Sequence, residues 1–269
     1  MKPYKMNKKG PEIVLLTGAG HGIGRATAVA LAERGFRLGL IDRDEAALAD
    51  LTGELERNGR ALAVASESAD VCDGGALAAA VARIEKRIGP TDVLVPCAGV
   101  GRIALGIDLD VEVFRQMLDV NVLGVARTIE AVLPGMVARG AGHIVGISSV
   151  AGFRGLPWMP GYSASKAALT TYLEALRPAL KLRGVTVTTV YPGFVRTAMT
   201  ADTPFRGRMP MLEPRQAAQY LARAIVRRPR DFVFPASTAL GMALLRRTPA
   251  ALFDWMMDRA GPKVLTSEF

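Results

Sequence analysis

The chain has 269 residues, half of them hydrophobic, which is enough apolar material for the core of one large domain. No uninterrupted apolar run approaches the roughly 18 residues of a membrane-spanning helix, and two cysteines offer at most one disulfide and no metal cluster. The formal charge is +9, but the basic residues are scattered, and no zinc-finger spacing or stacking-aromatic motif accompanies them. A solvated basic face is therefore favoured, with an anionic membrane surface or an acidic ligand second. The composition predicts a cytoplasmic protein with no metal site and no nucleic-acid partner.

Apolar, strand-like runs alternate with helical patterns almost to the end of the chain. The predicted strands are 12–16, 37–42, 61–65, 92–95, 143–147, 185–190 and 231–234. The predicted helices are 23–34, 44–58, 74–88, 110–138 (with a break near Val120), 161–182 and 214–228. Such alternation predicts the α/β class: a doubly wound parallel sheet of about seven strands with helices on both faces, in a single domain covering 1–269.

A glycine-rich turn follows the first predicted strand and opens into the first predicted helix. The turn holds Gly18, Gly20, His21, Gly22, Ile23 and Gly24. Glycine lacks the Cβ atoms that would keep a pyrophosphate away from the helix N-terminus, whose partial positive charge attracts phosphate. A tight turn without a ligand is the plainer interpretation. The strand before it and the helix after it favour dinucleotide binding, with His21 near the phosphates rather than in catalysis.

The second predicted strand ends at Asp42, about twenty residues past the glycines. A carboxylate at this place accepts hydrogen bonds from ribose hydroxyls and repels a 2′-phosphate, so NAD is favoured over NADP. Arg43 keeps NADP possible, because its side chain could contact a 2′-phosphate while Asp42 turns away. Capping of the second helix is the simpler role for Asp42, and the two roles are compatible.

Tyr162 and Lys166 are four residues apart in the predicted helix 161–182 and therefore share one face of it. An unperturbed tyrosine has a pKa of about 10, so acid–base work at neutral pH requires a shift of about three units. Lys166 and the positive nicotinamide of a bound cofactor would together lower the pKa of the phenol. The pair predicts an acid–base site, against the plainer alternative of a half-buried aromatic beside a solvated lysine.

Two segments, 152–160 and 193–212, interrupt the alternation, and each follows a predicted strand. Ligands of doubly wound sheets bind beyond the carboxyl ends of the strands, so these segments are predicted to form the substrate walls, with 193–212 as the substrate loop. Their large apolar residues are Phe153, Leu156, Trp158, Met159, Phe194, Met199, Phe205, Met209 and Met211. Some must pack within the loops themselves, and the others favour a pocket for a lipophilic alcohol or ketone.

Taken together, these fragments resemble the short-chain dehydrogenase/reductase family over residues 12–234. The glycine turn matches the family's TGxxxGxG sequence, and Ser149 lies thirteen residues before Tyr162, as the family requires. Asn121 matches the family's helical asparagine. The resemblance implies further cofactor contacts at Asp70, Val71, Cys97, Ala98, Gly99, Tyr162, Lys166, Pro192, Gly193, Val195 and Thr197.

The sequence departs from the family at the turn after the fourth predicted strand. The family's NNAG is Pro96-Cys97-Ala98-Gly99 here, so both asparagines are missing. The small Ala98-Gly99 pair still permits close approach of the backbone to a cofactor. The change affects contacts expected around the adenine-side ribose and leaves the reacting groups intact.

The resemblance implies a Rossmann-type fold and an NAD(P)-dependent oxidoreductase that acts on CH–OH groups. Tyr162 would be the general acid/base, Ser149 would hold the substrate oxygen, and Lys166 would tune the phenol and contact the nicotinamide ribose. Asn121 would support a water-linked proton path behind Lys166. The alternative is a catalytically silent, dinucleotide-binding redox sensor, and the altered turn at Pro96 and Cys97 is its only support.

Residues 236–269 are predicted to be a C-terminal helical tail that Pro249 splits into two helices. Its apolar residues stand among arginines. Docking on the subunit or on a neighbour is favoured, and peripheral membrane contact through a basic amphipathic surface is the alternative.

A homodimer or homotetramer is expected, because two predicted helices carry apolar residues beyond one stripe and relatives, by resemblance, pair them across a two-fold axis. These residues are Val122, Val125, Ile129, Val132 and Leu133 on the first helix and Leu169, Tyr172, Leu173, Leu176 and Leu180 on the second.

Overall fold

The computed structural model describes residues 12–57, 63–102, 110–201 and 211–260. Within these ranges the strands are β1 (Ile13–Thr17), β2 (Arg37–Asp42), β3 (Val64–Ser68), β4 (Val93–Pro96), β5 (Gly142–Ile147), β6 (Val185–Pro192) and β7 (Asp231–Phe234). The helices are α1 (Gly22–Ala32), α2 (Glu45–Arg57), α3 (Gly74–Ile88), α4 (Val111–Leu118), α5 (Val125–Arg139), α6 (Pro160–Leu182), α7 (Pro214–Arg227), α8 (Ala236–Arg247) and α9 (Ala250–Ala260). Short 3₁₀ turns follow β5 (Val150–Gly152) and β6 (Ala198–Thr200).

The seven strands form one parallel sheet in the order β3-β2-β1-β4-β5-β6-β7. The carboxyl ends lie side by side, since Thr17 is paired with Ile41 on one side and Pro96 on the other. The strand order reverses between β1 and β4, and in sheets of this kind the crevice outside that point receives ligands. The predicted Rossmann-type sheet is confirmed, and its site-bearing turns share one edge.

Alternation along the central strands supplies both faces of the core. In β1, Val14 and Leu16 belong to the apolar layer with α1, α2 and α7, whereas Ile13 and Leu15 belong to the layer with α3, α5 and α6. All four side chains are buried. A strand buried on both faces is an uninterrupted apolar run, which is why the sequence pattern located it.

The predicted break near Val120 is a π-helical segment, Asp119–Gly124, that joins α4 to α5 without a turn. By length and composition alone, the continuous helix Val111–Arg139 is long and apolar enough to cross a membrane. Its inward residues Val125, Ile129 and Met136 instead pack in the core against the sheet. It is a core helix of this fold.

The third strand was predicted at 61–65, but β3 is Val64–Ser68, and 61–62 lie outside the described residues. β3 is an edge strand that pairs only with β2. An edge strand tolerates polar residues such as Ser66 and Glu67, so the apolar pattern placed it too early. The split of the tail at Pro249 is confirmed by α8 and α9.

Candidate active site

The glycine turn brings the end of β1 into close contact with the turn after β4. Gly18 has a φ of +66°, and a Cβ atom there would lie 2.6 Å from the Cα of Ala98. A Cβ atom on Gly24 would lie 1.9 Å from the carbonyl oxygen of Gly18. Neither position has room for a side chain, so the turn itself requires these glycines before any ligand is considered.

The N-terminus of α1 is open to an anion. Its first flanking residue, His21, has an extended backbone, and its side chain does not cap the helix. The first backbone N–H groups of α1 therefore remain available, and the helix dipole favours negative charge beside them. The imidazole of His21 instead lies 2.8 Å from a carboxylate oxygen of Asp44. Thr197 lies across from the turn, with its Cγ2 atom 3.3 Å from where a Cβ of Gly22 would be.

The carboxylate of Asp42 is fixed at the end of β2 by two backbone donors. The N–H of Gly20 donates to Oδ2 at 2.7 Å, and the N–H of Asp44 donates to Oδ1 at 3.0 Å. Each oxygen keeps acceptor capacity for a further donor such as a ribose hydroxyl. The cap of α2 is Asp44, whose Oδ1 accepts from the N–H of Ala47 at 3.0 Å. The simpler role considered for Asp42 thus belongs to Asp44.

Asp70 and Arg43, both predicted to contact the cofactor, lie beside each other. The guanidinium Nη1 of Arg43 is 3.9 Å from Oδ2 of Asp70, and both side chains are exposed. The other Asp70 oxygen accepts from the N–H of Cys72 at 2.9 Å, next to buried Val71. An exposed pair at this distance holds weakly, so Arg43 is free to change partners.

The turn after β4 is held without the family's two asparagines. The N–H of Cys97 donates to the carbonyl of Thr17 at 3.1 Å. Buried Asn121 accepts from the N–H of Val100 at 2.9 Å and donates to its carbonyl at 2.8 Å. Gly99 lies between Asn121 and Lys166, since a Cβ there would be 3.3 Å from Oδ1 of the former and 3.8 Å from Nζ of the latter. Backbone and Asn121 contacts therefore hold this turn in place.

Ser149, Tyr162 and Lys166 meet at the carboxyl end of β5. The hydroxyl of Ser149 accepts from the N–H of Ala151 at 3.1 Å and lies near the phenol of Tyr162. Lys166 is buried, donates to the carbonyl of Ile147 at 2.9 Å, and lies 5.7 Å from the centroid of the Tyr162 ring. The predicted catalytic groups are therefore assembled, with Asn121 behind them.

The pKa of the Tyr162 phenol is raised by burial, and its interaction with the nearby Ser149 hydroxyl only partly opposes this shift. Burial also lowers the pKa of the Lys166 ammonium, to about 8. The expected lowering of the Tyr162 pKa is therefore not produced by the protein's own groups. Removal from water dominates at both residues, because desolvation disfavours the charged form of each group.

A cleft of about 380 Å³ runs along this edge of the sheet from the glycine turn to Tyr162. All of the predicted site residues line it except Gly20 and Asn121. Gly20 donates a hydrogen bond to Asp42, and Asn121 accepts one from Val100. The cleft is also lined by residues that were not predicted from the sequence: Ala69, Val100, Val120, Ile147, Ser148, Val150, Ala151, Ala198 and Thr200. Each lies within two positions of a predicted site or wall residue, so the strand ends and the segments after them were the available signal.

Comparison with known proteins places this site in a family. The family model described as short chain dehydrogenase matches residues 12–205. The chain belongs to the short-chain dehydrogenase family. An oxidoreductase of Myxococcus xanthus (strain DK1622) is 40% identical over 241 residues, which are 89% of this chain and 94% of that protein. The resemblance drawn from the motifs is confirmed.

Two solved short-chain dehydrogenase-like structures share the fold. A Burkholderia phymatum short-chain dehydrogenase/reductase in complex with NAD has a TM-score of 0.80 and 28% identity, covering 91% of this chain and 98% of that one. A variant of actinorhodin polyketide ketoreductase with NADPH has a TM-score of 0.77 and 29% identity, covering 87% and 99%.

The substrate walls of this short-chain dehydrogenase are apolar. Leu156, Trp158 and Met159 line the cleft from the first segment, and Phe194 and Met199 from the second. The other predicted wall residues behave differently: Phe153 stacks on Tyr191 with ring centroids 4.4 Å apart, Met211 does not line the cleft, and Phe205 and Met209 lie outside the described residues.

Gly101 lies close to the Tyr162 ring. A Cβ atom there would lie 3.0 Å from Cδ2 of Tyr162 and 3.1 Å from the sulfur of Met199. The backbone of Gly101 is therefore in close contact with both the acid–base residue and the second wall. The sequence analysis did not single out this glycine.

The C-terminal helices of this short-chain dehydrogenase contact the first substrate wall. Leu245 of α8 packs with Phe153 and Tyr191. The guanidinium of Arg154 lies 4.5 Å from the ring centroid of Phe253 in α9, and that ring is buried. Part of the tail thus docks on its own subunit.

Proposed function

We propose that this short-chain dehydrogenase transfers hydride between a nicotinamide cofactor and a lipophilic secondary alcohol or ketone. The observation that carries the proposal is that Ser149, Tyr162 and Lys166 line the same cleft as the glycine turn and the open end of α1. The Burkholderia phymatum structure with NAD and the ketoreductase structure with NADPH support the cofactor. When bound, the nicotinamide supplies the hydride chemistry and, in its oxidised form, a positive charge.

Each catalytic side chain has one task in this proposal. Tyr162 gives or takes the proton at the substrate oxygen through its phenol. The hydroxyl of Ser149 lies near that phenol, and both residues line the cleft, so Ser149 is placed to hold the same substrate oxygen and share its developing charge. Lys166 is held by the carbonyl of Ile147, which fixes its ammonium beside the Tyr162 ring.

The pKa of Tyr162 determines what a bound cofactor must contribute to catalysis. Burial raises the pKa of this phenol, whereas proton transfer at neutral pH is fastest when the pKa lies close to neutrality. Positive charge beside the phenol must therefore offset desolvation. Lys166 provides one such charge, and we propose that the site reaches its working pKa only when the cofactor is bound.

The favoured cofactor is NAD, with NADP possible. Asp42 is buried, and two backbone N–H groups aim its carboxylate at the turn. A 2′-phosphate beside it would meet uncompensated negative charge. Arg43 would favour NADP, since its weak contact with Asp70 leaves it able to reach a 2′-phosphate.

The substrate we propose is uncharged at the end that enters the cleft. Among the described lining residues, the Asp and Arg side chains are Asp42, Arg43 and Asp70, all at the adenosine end. Lys166 is the charged residue near the phenol, and it is committed to the Ile147 carbonyl. Apolar walls with few polar groups favour a lipophilic ligand over a carboxylate or phosphate.

We propose a homodimer or homotetramer assembled through α5 and α6. Of the ten apolar residues named for this interface, six are buried in the subunit, and Val122, Leu133, Tyr172 and Leu176 are half-buried. The neighbouring Leu123 is 49% exposed. Light scattering at micromolar concentration tests the assembly, and a monodisperse monomer would refute it.

Peripheral contact with anionic lipid is a second proposal for the tail. On α9, Leu252, Trp255 and Met256 are exposed at helical spacing, and the guanidinium of Arg259 lies 4.0 Å from the Trp255 ring centroid. Such a stripe suits a lipid interface. Sedimentation with anionic vesicles tests it, with loss of binding expected in Trp255→Ala. A cytoplasmic location stays a prediction.

The experiment that tests the proposed activity is a turnover screen of alcohols and ketones with NAD(H) and NADP(H). We expect turnover of lipophilic secondary alcohols or ketones with at least one cofactor. Cofactor binding with no turnover across the panel would contradict the proposal. That result would favour the redox-sensing alternative, whose supporting observation is the altered turn at Pro96 and Cys97.

A further inference from the structure

Two serines between Tyr162 and Lys166 are buried although neither lines the cleft. Ser163 is 4% exposed and Ser165 is fully buried. Residues two apart on an α-helix are separated by about 200° around its axis, so the two hydroxyls leave α6 in nearly opposite directions. A buried hydroxyl needs a partner, and each of these finds its partner in a different segment.

Ser165 joins the catalytic helix to Asn121. Its hydroxyl accepts a hydrogen bond from Nδ2 of Asn121 at 3.0 Å and donates to the carbonyl of Tyr162 at 2.8 Å. The other Nδ2 hydrogen goes to the carbonyl of Val100, and Oδ1 accepts from the N–H of Val100. Ser165 therefore completes the set of partners that fixes the Asn121 amide in one orientation.

The amide held in this way supports the turn at Gly99 and Val100, which we call the floor under Lys166. Asn121 holds Val100, and the adjoining Gly99 lies between the amide and the ammonium of Lys166. The same turn contacts the glycine turn, where Gly18 meets Ala98. Contacts thus run from Ser165 through Asn121 to the surroundings of the lysine.

Ser163 holds the first substrate wall. Its hydroxyl accepts a hydrogen bond from the N–H of Leu156 at 3.2 Å. Leu156 lines the cleft with Trp158 and Met159, and the N–H of Met159 donates to the carbonyl of Leu156 at 2.9 Å. Ser163 therefore fixes the backbone of the segment that carries these side chains.

We infer that Ser165 and Ser163 are positioning residues with separate tasks. Ser165 keeps Asn121 and the floor under Lys166 in place for the chemical step, and Ser163 keeps the substrate wall in place for binding. This inference rests on the proposed function, because it concerns the turnover of an alcohol or ketone. It assigns different kinetic effects to two buried serines of one helical turn.

The test compares Ser165→Ala with Ser163→Ala, so that each variant is the matched control of the other. For Ser165→Ala we expect kcat to fall about tenfold with KM for the substrate nearly unchanged, since a buried Asn121 donor loses its acceptor. For Ser163→Ala we expect KM to rise about three- to tenfold with kcat nearly unchanged, since one hydrogen bond to the wall is lost. NADH binding, followed by fluorescence, should stay close to wild type in Ser163→Ala.

Two further measurements separate positioning from general stability. Ser165→Cys and Ser163→Cys retain a weak acceptor of similar size, so each should fall between wild type and the alanine variant in its own parameter; they also keep the test decisive where an alanine variant does not fold. In a double-mutant cycle, Ser165→Ala should reduce kcat much less when Asn121 is already alanine, because the serine acts through that amide.

The inference would be overturned if both alanine variants showed the same fall in kcat and the same rise in KM. It would also be overturned if their melting temperatures fell while kcat and KM stayed unchanged. An additive cycle between Ser165 and Asn121 would also overturn it. A wild-type protein with no turnover would instead refute the proposed function itself. The two failures are therefore distinguishable.

Discussion

The cleft has two halves: a glycine-turn half, formed around residues 17–24, and a wall half, formed by segments 152–160 and 193–201. Backbone contacts shape the first half, whereas side chains shape the second. In the first half, Gly18 and Gly24 allow strand, turn and helix to meet at distances that exclude a Cβ atom. In the second, Leu156, Trp158 and Met199 come from irregular segments after β5 and β6. Backbone contacts leave little freedom, while side-chain walls can change size and character without changing the fold.

This difference separates what the protein shares with its family from what it has of its own. NAD and NADPH share the pyrophosphate and nicotinamide, so the half that receives them can keep one backbone geometry. A substrate differs between relatives, so the half that receives it is placed on segments that tolerate substitution. The predictions below compare the two halves directly.

The largest expected effect is at Gly24. A Cβ atom in Gly24→Ala would lie 1.9 Å from the Gly18 carbonyl oxygen, so we expect a loss of about 3 kcal/mol or more in unfolding free energy and loss of cofactor binding. Gly155 in the first wall has no atom within 4 Å of its Cβ position, and Gly155→Ala should be close to neutral. Urea unfolding and NADH fluorescence check both variants. Similar behaviour of the two glycines would contradict the contrast between the halves.

The next effect concerns Gly101, beside the wall half. A Cβ atom in Gly101→Ala would press on the Tyr162 ring and on Met199. We expect kcat/KM for a bulky ketone to fall about tenfold or more while a small ketone and NADH binding are little affected. A parallel loss for small and bulky substrates would mean that Gly101 does not limit substrate size.

A smaller effect is expected from Asp42→Asn in the glycine-turn half. The amide keeps one acceptor oxygen for the two backbone donors, so the N–H of Gly20 or of Asp44 loses its partner. It also removes the negative charge that a 2′-phosphate would meet. The ratio of kcat/KM with NADP(H) to that with NAD(H) should rise about tenfold, with the ranking of substrates unchanged. If the wild type already prefers NADPH tenfold, Arg43 rather than Asp42 decides the preference.

The smallest effect lies in the sheet that supports both halves. Burial lowers the pKa of the His143 imidazole to about 3, and its Nε2 pairs with the Thr188 hydroxyl at 2.9 Å. The folded state therefore resists a proton that the unfolded chain binds near pH 6.5, and stability falls as the pH drops from 6.5 towards 3. Between pH 6.5 and 5.5 this residue alone should remove about 1 kcal/mol. Urea unfolding of His143→Gln at both pH values is the control, and an equal pH dependence in both proteins would contradict the assignment.

The glycine-turn half could be predicted from the sequence because its determinants are local. The glycines of the turn lie within the seven residues 18–24, and Asp42 ends a strand that the apolar pattern located. Tyr162 and Lys166 are one helical turn apart, so their proximity also follows from spacing alone. The placement of Ser149 beside them came from the resemblance, and the structure shows their contact.

The wall half could not be predicted because its determinants are contacts between distant segments. Phe153 and Trp158 are both large aromatic residues of one segment, yet Tyr191 removes the first from the cleft while the second lines it. Gly101 meets Met199 across almost a hundred residues of sequence. Burial of the Tyr162 phenol, which raises its pKa, is a further feature of this kind, since the spacing to Lys166 is visible in the sequence and the burial is not.

The central claim is that Tyr162 carries the proton in a nicotinamide-dependent reaction, and Tyr162→Phe tests it most directly. The ring stays and only the phenol oxygen is lost, so NADH binding measured by fluorescence should stay within about twofold of wild type while turnover is abolished. Both quantities should be measured on the same preparation with the best substrate of the screen. Residual turnover above about a tenth of wild type would contradict the account, because catalysis would then proceed without the residue assigned to proton transfer.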